Sequence, residues 1–336
     1  MEALHFMQTK PDEQNNMILG NKIKRLREKS AWTQEQLAYA SGVSEKTIQR
    51  LEKGQKVREE TLRCIAAAFD IDVDILLTDN VHISAIKEEF GKKAEYLSNH
   101  PHYANETNMD NILSLVDYDR ADESSLLDLA CGPGILTAPL AKKFSKVSAL
   151  DITEEMLQEA KTYCESMQLT NIDYLKANAE QIPLENESVD TIINRLSMHL
   201  FGDKVRVLKE AQRVLSKGGT LIIADYLSPS DAKEANSINS IEQLKYASDV
   251  DILNKEQYQQ LFSQLKELRC EEEIYWTETR IISNSMDLTN DPVKGPALFQ
   301  LITVLAQSGG LKNIIWNDEQ GLIEIKQAWI AYKLKK

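Results

Sequence analysis

The sequence is poor in the residues that staple, break or anchor a chain. Its four cysteines, Cys64, Cys131, Cys164 and Cys270, are too far apart for CxxC or zinc-ribbon spacing. Reduced thiols in a cytoplasmic protein are the simplest expectation. Only 13 glycines and 8 prolines occur in 336 residues, which excludes collagen-like and low-complexity chains. No apolar run approaches the roughly 18 residues that a membrane span needs. The first 16 residues, MEALHFMQTKPDEQNN, lack an apolar signal core and read as a disordered leader, so we expect neither export nor a membrane partner. Positive charge is short as well: Lys+Arg 39 against Asp+Glu 52 gives a net charge of −13. That argues against a chain that coats nucleic acid or anionic lipid over its whole surface. At about 150 residues per domain, the length predicts two domains.

What is present divides the chain. From Ile18, apolar residues recur at helical spacing in short pieces: Ile23 and Leu26, Leu37 and Ala40, Ile48 and Leu51, then Leu62, Ile65, Ala66 and Phe69. Ser41-Gly42 and Gly54 mark turns between them, so residues 17–78 read as a small all-α unit. A polar stretch at 79–123 serves as connector or lid, with helices expected around Ile86–Leu97 and Met109–Val116. After Ser124 the period changes. Short apolar runs (Leu126–Ala130, Val147–Leu150, Ile172–Leu175, Val189–Ile193, Thr220–Ala224) alternate with amphipathic stretches such as Glu154–Met167 and Lys204–Leu215. Strands alternating with helices predict a parallel sheet covered on both faces.

Within the first unit, Thr33 and Ser44 suit helix N-caps, Gly42 a tight turn and Ala38 a close crossing, while Val43, Ile48 and Leu51 point inward. This is helix-turn-helix grammar, and Met17–Thr78 resembles the Cro/C1 (XRE-type) family of DNA-binding domains, with Ile71–Leu77 as its last helix. The resemblance implies double-stranded DNA as partner, and a recognition helix from Ser44 that turns Glu45, Lys46, Thr47 and Arg50 toward base edges. Gln34 would hold a phosphate at the start of the preceding helix. It also implies a homodimer, since such heads read paired half-sites. The alternative is that these charges solvate a helix face. Residues 17–80 carry 11 Lys/Arg and 10 Asp/Glu, so this unit is +1 and the remainder −14.

The strongest chemical signal is Leu126-Leu127-Asp128-Leu129-Ala130-Cys131-Gly132-Pro133-Gly134-Ile135-Leu136-Thr137, an apolar strand, a small-residue turn and a helix start. Gly132 and Gly134 allow backbone to approach a ligand closely. Thr137 stands where a dinucleotide fingerprint has its third glycine, which disfavours a pyrophosphate cradle. Asp128 precedes the turn, and Asp151 ends the next strand where a ribose would present its hydroxyls.

This pattern resembles the class I S-adenosylmethionine-dependent methyltransferases. Residues Lys176–Leu184, Asp190–His199 and Arg213–Asp225 then fall in that family's order. The likeness is nearest to small-molecule enzymes of the quinone-biosynthesis type and runs from about Phe90 to Lys336, with a leading helix at Phe90–Tyr96 and an inserted lid at about 228–268. It implies a Rossmann-like α/β domain over 124–336, a seven-stranded sheet whose last strand is antiparallel, S-adenosylmethionine as cofactor and a small-molecule methyl acceptor. The cofactor residues it implies are Asp128, Ala130, Gly132, Gly134, Asp151, Ile152, Asn178, Ala179, Glu180, Asn194 and Arg195. Asn178 stands where the family usually has Asp, and its amide oxygen would take the adenine amine.

A sulfonium methyl group is already electrophilic, so alignment and exclusion of water are the main demands. Where the acceptor must lose a proton, His199 is the best-placed base, against the alternative of a structural histidine at a strand–loop junction. Tyr96, Asp225 and Tyr226 are further pocket candidates. Cys131 reads as a small filler, and His100 and His102 find no partners for a metal site. Two functions stand at this point: a small-molecule methyltransferase with a DNA-binding head, or a transcription regulator whose second domain senses the cofactor without turnover.

Overall fold

The structure, a computed structural model, describes residues 19–336 except 21–22, 25, 29, 31, 70, 72, 74–80, 100–105, 246–249, 283–292, 308–310 and 318–321. The expected leader, most of the last head helix at Ile71–Leu77, and His100 and His102 lie outside the described residues. The chain forms two compact units, Met1–Ala85 and Ile86–Lys336.

In the first unit, three well-defined helices, Gln34–Ser41, Glu45–Glu52 and Glu59–Ala68, follow helical residues around Ile23. Thr33 starts the first with a capping box: its hydroxyl accepts the Gln36 N–H at 3.1 Å while the Gln36 amide oxygen accepts the Thr33 N–H at 2.7 Å. Gly42 ends that helix in the left-handed region at φ 67°, and Ser44 caps the next through the Thr47 N–H at 3.1 Å. Ile23, Leu37, Ile48, Leu51, Leu62 and Ile65 form the core. Beside it lies an ion pair. Arg27 Nε and Nη2 donate to the two Glu52 oxygens at 2.7 and 3.0 Å, Gln34 Nε2 donates to Glu52 Oε2 at 2.8 Å, and Arg27 Nη1 caps the Trp32 carbonyl at 2.8 Å.

The second unit is built on one mixed sheet: β1 Ser125–Leu129, β2 Lys146–Asp151, β3 Ile172–Lys176, β4 Val189–Arg195, β5 Leu215–Tyr226, β6 Arg269–Ile282, β7 Ile314–Asn317 and β8 Leu322–Lys335. The order is β3-β2-β1-β4-β5-β8-β6, with β7 beside the start of β8. The first five strands are parallel, and β8 runs antiparallel between β5 and β6. Along each central strand, successive side chains enter opposite layers. Leu127, Ile192, Leu221 and Ile330 join one cluster, and Leu126, Ile193, Ile222 and Trp329 the other. That alternation of destination explains why these strands read as unbroken apolar runs.

Two features exceed the expectation. The sheet gains an eighth short strand, β7, and a satellite core forms from Ile282, Leu298, Ile302, Ile314 and Ile323, with Ile241 of the helix Ala232–Lys245. The leading helix, expected at Ile86–Leu97, runs over Val81–Asn99 and the next over Glu106–Leu113. Helices Ala232–Lys245 and Lys255–Phe262 occupy the stretch read as a lid.

Burial works against the Glu52 charge, but Arg27 and Gln34 outweigh it and hold the carboxyl below the usual glutamate range. The contribution is therefore complete above the ordinary glutamate value and is lost as pH falls through the lower folded one. Glu52→Ala, which strands Arg27, should destabilise the head by about 3–5 kcal/mol. In calorimetry of the full chain the head transition should drop while that of the second unit stays. An unmoved head transition would refute the assignment.

Candidate functional site

The turn after β1 is shaped by two glycines with different tasks. Gly134 (φ 79°) has no room for a side chain, because a Cβ there would lie 2.9 Å from Cα and Cβ of Ala160 on the helix Glu154–Ser166. Gly132 (φ 54°) is the opposite case: a Cβ there would meet nothing within 4 Å, so its backbone borders open space. Asp151, at the end of β2, fixes this turn. Its Oδ2 accepts the Gly132 N–H at 2.9 Å and its Oδ1 the Thr153 N–H at 2.9 Å. Burial keeps the Asp151 carboxyl above the usual range in spite of these donors.

Asp128 is buried and accepts the Thr137 hydroxyl at 2.6 Å, which ties the strand to the helix Thr137–Ala141. Burial raises its pKa to about 7, and neighbouring Asp151 adds to the rise, whereas Thr137 and Arg195 oppose it. On the adjacent strand, Asn194 is 1% exposed, and its Nδ2 donates to the Leu129 carbonyl at 2.8 Å and to Ser197 Oγ at 2.5 Å. Its Oδ1 is buried with no hydrogen-bond partner. Swapping the amide would set two oxygens face to face at Leu129, so an unused acceptor is fixed between the ends of β1 and β4. Ala130 (φ 60°) and Leu196 (φ 54°) hold left-handed conformations at those same strand ends. Strain of this kind concentrates at ligand sites.

The remaining candidates are placed as follows. Ile152 is half-buried beside Asp151, and Arg195 is half-buried at the end of β4. Ala179 is buried, and Glu180 gives its carbonyl to Arg206 Nε at 3.1 Å. The Asn178 oxygen, aimed at adenine in the sequence reading, already accepts the Glu180 N–H at 3.0 Å, which leaves one lone pair for a ligand. Tyr96 packs with Ala94, Leu97 and Met156. Its helix lies on the one that follows Asp151: Ser98 Oγ donates to Glu159 Oε2 at 3.0 Å, and a Cβ on Gly91 would touch the Glu155 carboxylate at 3.1 Å. His199 and Asp225 meet, Nδ1 to Oδ1 at 2.7 Å, both almost wholly buried. Sequence reasoning missed Thr137, Thr153 and Ser197, each of which holds a predicted residue. Ser197, three residues beyond Asn194, could have been found from the turn it makes.

In the head, Glu45, Lys46 and Arg50 are exposed on the second helix, and Arg50 Nε donates to Gln55 Oε1 at 2.8 Å. Thr47 is half-buried and bonded to the Ser44 hydroxyl at 2.7 Å. Gln34 is half-buried with one amide proton on Glu52, so only its second amide proton remains for a phosphate contact. Tyr39, 91% exposed on the first helix, was not anticipated. Among the described residues, no cluster of three or more His, Cys, Asp or Glu could hold a metal ion, and no helix is long and apolar enough to cross a membrane.

This arrangement is that of a methyltransferase domain joined to a helix-turn-helix domain. Residues 127–223 match the methyltransferase domain family and residues 23–76 the helix-turn-helix family. Among curated relatives, the uncharacterized methyltransferase YcgJ of Bacillus subtilis is 26% identical over 42% of this chain and 56% of its own length. The demethylmenaquinone methyltransferase of Lactococcus lactis is 35% identical over 32% of this chain and 43% of its own. The chain thus spans about half the length of the curated relatives it matches. A Bacillus halodurans protein described as a candidate methyltransferase superposes with a TM-score of 0.61 at 22% identity, over 68% of this chain and 99% of that one, which establishes the shared fold.

The Asp128 shift carries a sign. Between the ordinary aspartate value and about 7, the unfolded chain has lost this proton while the folded one keeps it, so stability falls as pH rises across that window. Asp128→Asn cannot ionise and should flatten the slope. Urea unfolding across the window checks this, and equal slopes for variant and parent would contradict it.

Proposed function

We propose that the second unit transfers a methyl group from S-adenosylmethionine to a small-molecule acceptor, and that the head binds double-stranded DNA as part of a homodimer in the cytoplasm. The domain boundaries follow the sequence reading: head 17–78, connector 79–123 and methyltransferase domain 124–336 with a lid near 228–268. The observation that carries the cofactor assignment is the open backbone at Gly132, clamped by Asp151, together with the unused Asn194 Oδ1 at the ends of β1 and β4.

The residues fit the group. Gly132 and Gly134 would let the methionine part approach backbone, Asp151 still has lone pairs for ribose hydroxyls, and Asn178, Ala179 and Glu180 would border adenine. Asn194 Oδ1 would receive an N–H. When bound, the cofactor supplies a methyl carbon activated by a sulfonium. The protein then has to hold, align and keep water out, and the leading helix laid over the helix Glu154–Ser166 suits that covering task.

For the head, the support is the capped helix pair and the exposure of Glu45, Lys46 and Arg50 on one helix. The rest of the chain is acidic, so contact with the phosphate backbone falls to the head, and the pairing of such a head with a metabolic enzyme fits control of a linked gene.

Calorimetry should show S-adenosylmethionine binding to the parent that weakens at least tenfold in Asp151→Ala. Equal binding by both would sink the cofactor assignment. A gel shift with the DNA upstream of its own gene should weaken steeply with salt and vanish in Lys46→Ala/Arg50→Ala. Binding insensitive to salt and to both changes would remove the DNA assignment.

A further inference from the structure

Asp225, the last residue but one of β5, has both carboxylate oxygens in use. Oδ1 receives the Nδ1 edge of His199 at 2.7 Å and the Tyr226 N–H at 2.7 Å, and Oδ2 receives the backbone N–H of His199 at 3.0 Å. One side chain therefore holds both the ring and the backbone of His199. A carboxylate only accepts, so in the neutral ring Nδ1 carries the proton and Nε2 presents a lone pair. The ring cannot readily turn over. It stacks on Tyr226 (5.7 Å between centroids, 27° between planes), and Tyr226 meets buried Trp329 edge-on at 4.9 Å. Among the described residues Nε2 has no hydrogen-bond partner.

One other charged group, Glu242 of the helix Ala232–Lys245, interacts electrostatically with this histidine. Lys245 Nζ on the same helix bonds both Glu242 oxygens at 2.8 Å, and Arg280 of β6 acts on the same carboxylate. Burial opposes the Glu242 charge, yet Lys245, His199 and Arg280 together hold its carboxyl below the usual range.

We propose that Asp225 is a positioning residue that keeps His199 in the Nδ1–H tautomer, so that Nε2 takes the proton of a hydroxyl group on the methyl acceptor. The inference rests on the methyltransferase reading above and narrows it to acceptors such as phenols and enols. An unprotonated amine or a thiolate is already nucleophilic and has no need of this base. In the step, the O–H electron pair stays on oxygen and the proton moves to Nε2. The resulting imidazolium is held against the Asp225 carboxylate, and the proton leaves to water after the product departs.

The tautomer can be read without turnover. In full-length protein with nitrogen-15 histidine, whose five histidines are few enough to resolve, His199 is assigned by loss of its signals in His199→Gln. Long-range proton–nitrogen correlation should show a protonated Nδ1 and a bare Nε2, and in folded Asp225→Asn this signature should give way to the other tautomer or a mixture. A protonated Nε2 in the parent overturns the proposal. So does an unchanged tautomer in Asp225→Asn, and if that variant does not fold the parent spectrum alone decides. The acceptor class is tested by incubating the parent with a small-molecule cell extract and a donor carrying a carbon-13 methyl group. A new methoxy resonance is expected. An N-methyl or S-methyl product overturns this inference but leaves the methyltransferase reading intact, whereas no transfer in any extract overturns both.

Discussion

Two backbone N–H groups bound to one carboxylate hold the working end of the sheet together. β1 and β2 are parallel and end within one residue of each other, with Leu129 opposite Leu150 and Asp151 one step beyond. The chain leaving each strand therefore exposes donors that no strand can satisfy, and burial makes that costly. Asp151 answers for both, at Gly132 in one loop and Thr153 in the next. Once this clamp is set, the rest follows by contact. Gly134 presses the turn onto Ala160, which fixes the helix Glu154–Ser166, and the leading helix in turn rests on that helix through Ser98 and Glu159. The shape of the candidate cofactor site is thus a consequence of one acid, one glycine with open space and one glycine with none.

The same device recurs along the sheet. Asp128 takes the Thr137 hydroxyl, Asp190 takes the N–H and hydroxyl of Ser125 at 2.9 Å each, Asp225 takes three donors and Glu210 takes the Ile182 N–H at 2.9 Å. Several acids of this unit thus act as fasteners for loop donors, in addition to the many that face solvent. The net charge of the chain conceals that division of labour.

Much of this was legible in the sequence because it is local. The parallel strands are apolar runs, their helices are amphipathic, and the caps Thr33 and Ser44 and the left-handed Gly42, Gly132 and Gly134 each announce a short-range need. What escaped is non-local. β6, with the sequence Arg-Cys-Glu-Glu-Glu-Ile-Tyr-Trp-Thr-Glu-Thr-Arg-Ile-Ile, is too polar to read as a strand; it exists because β8 pairs with it from Arg269 to Ile282. β7 has only four residues and depends on the same partner. Of the site residues, Asp128, Gly132, Asp151 and Asn194, expected from the sequence as cofactor ligands, are all knitted into the fold, and that structural role lies in partners invisible at sequence distance. His199 and Asp225, both suspected separately, meet because β4 and β5 pair from Thr191 with Thr220 to Arg195 with Ala224.

The head shows how burial alters a charge argument. Its Lys and Arg exceed its acids by one in the sequence, but Arg27 and Glu52 cancel inside the domain, and Gln34 is partly drawn into the same pair. The cations left to meet a phosphate backbone are fewer than the count, and the glutamate at 45 shares their helix. Each phosphate neutralised contributes one increment of counterion release, so a head with few such contacts gains little non-specific affinity. Under the proposed DNA-binding role, discrimination must then rest on base-edge contacts from the helix Glu45–Glu52, and useful affinity on a second head held nearby. Tethering makes the second contact intramolecular and multiplies the first without any new bond. Weak single heads would in that case favour occupancy only where two half-sites are correctly spaced, which turns a modest surface charge into a source of selectivity.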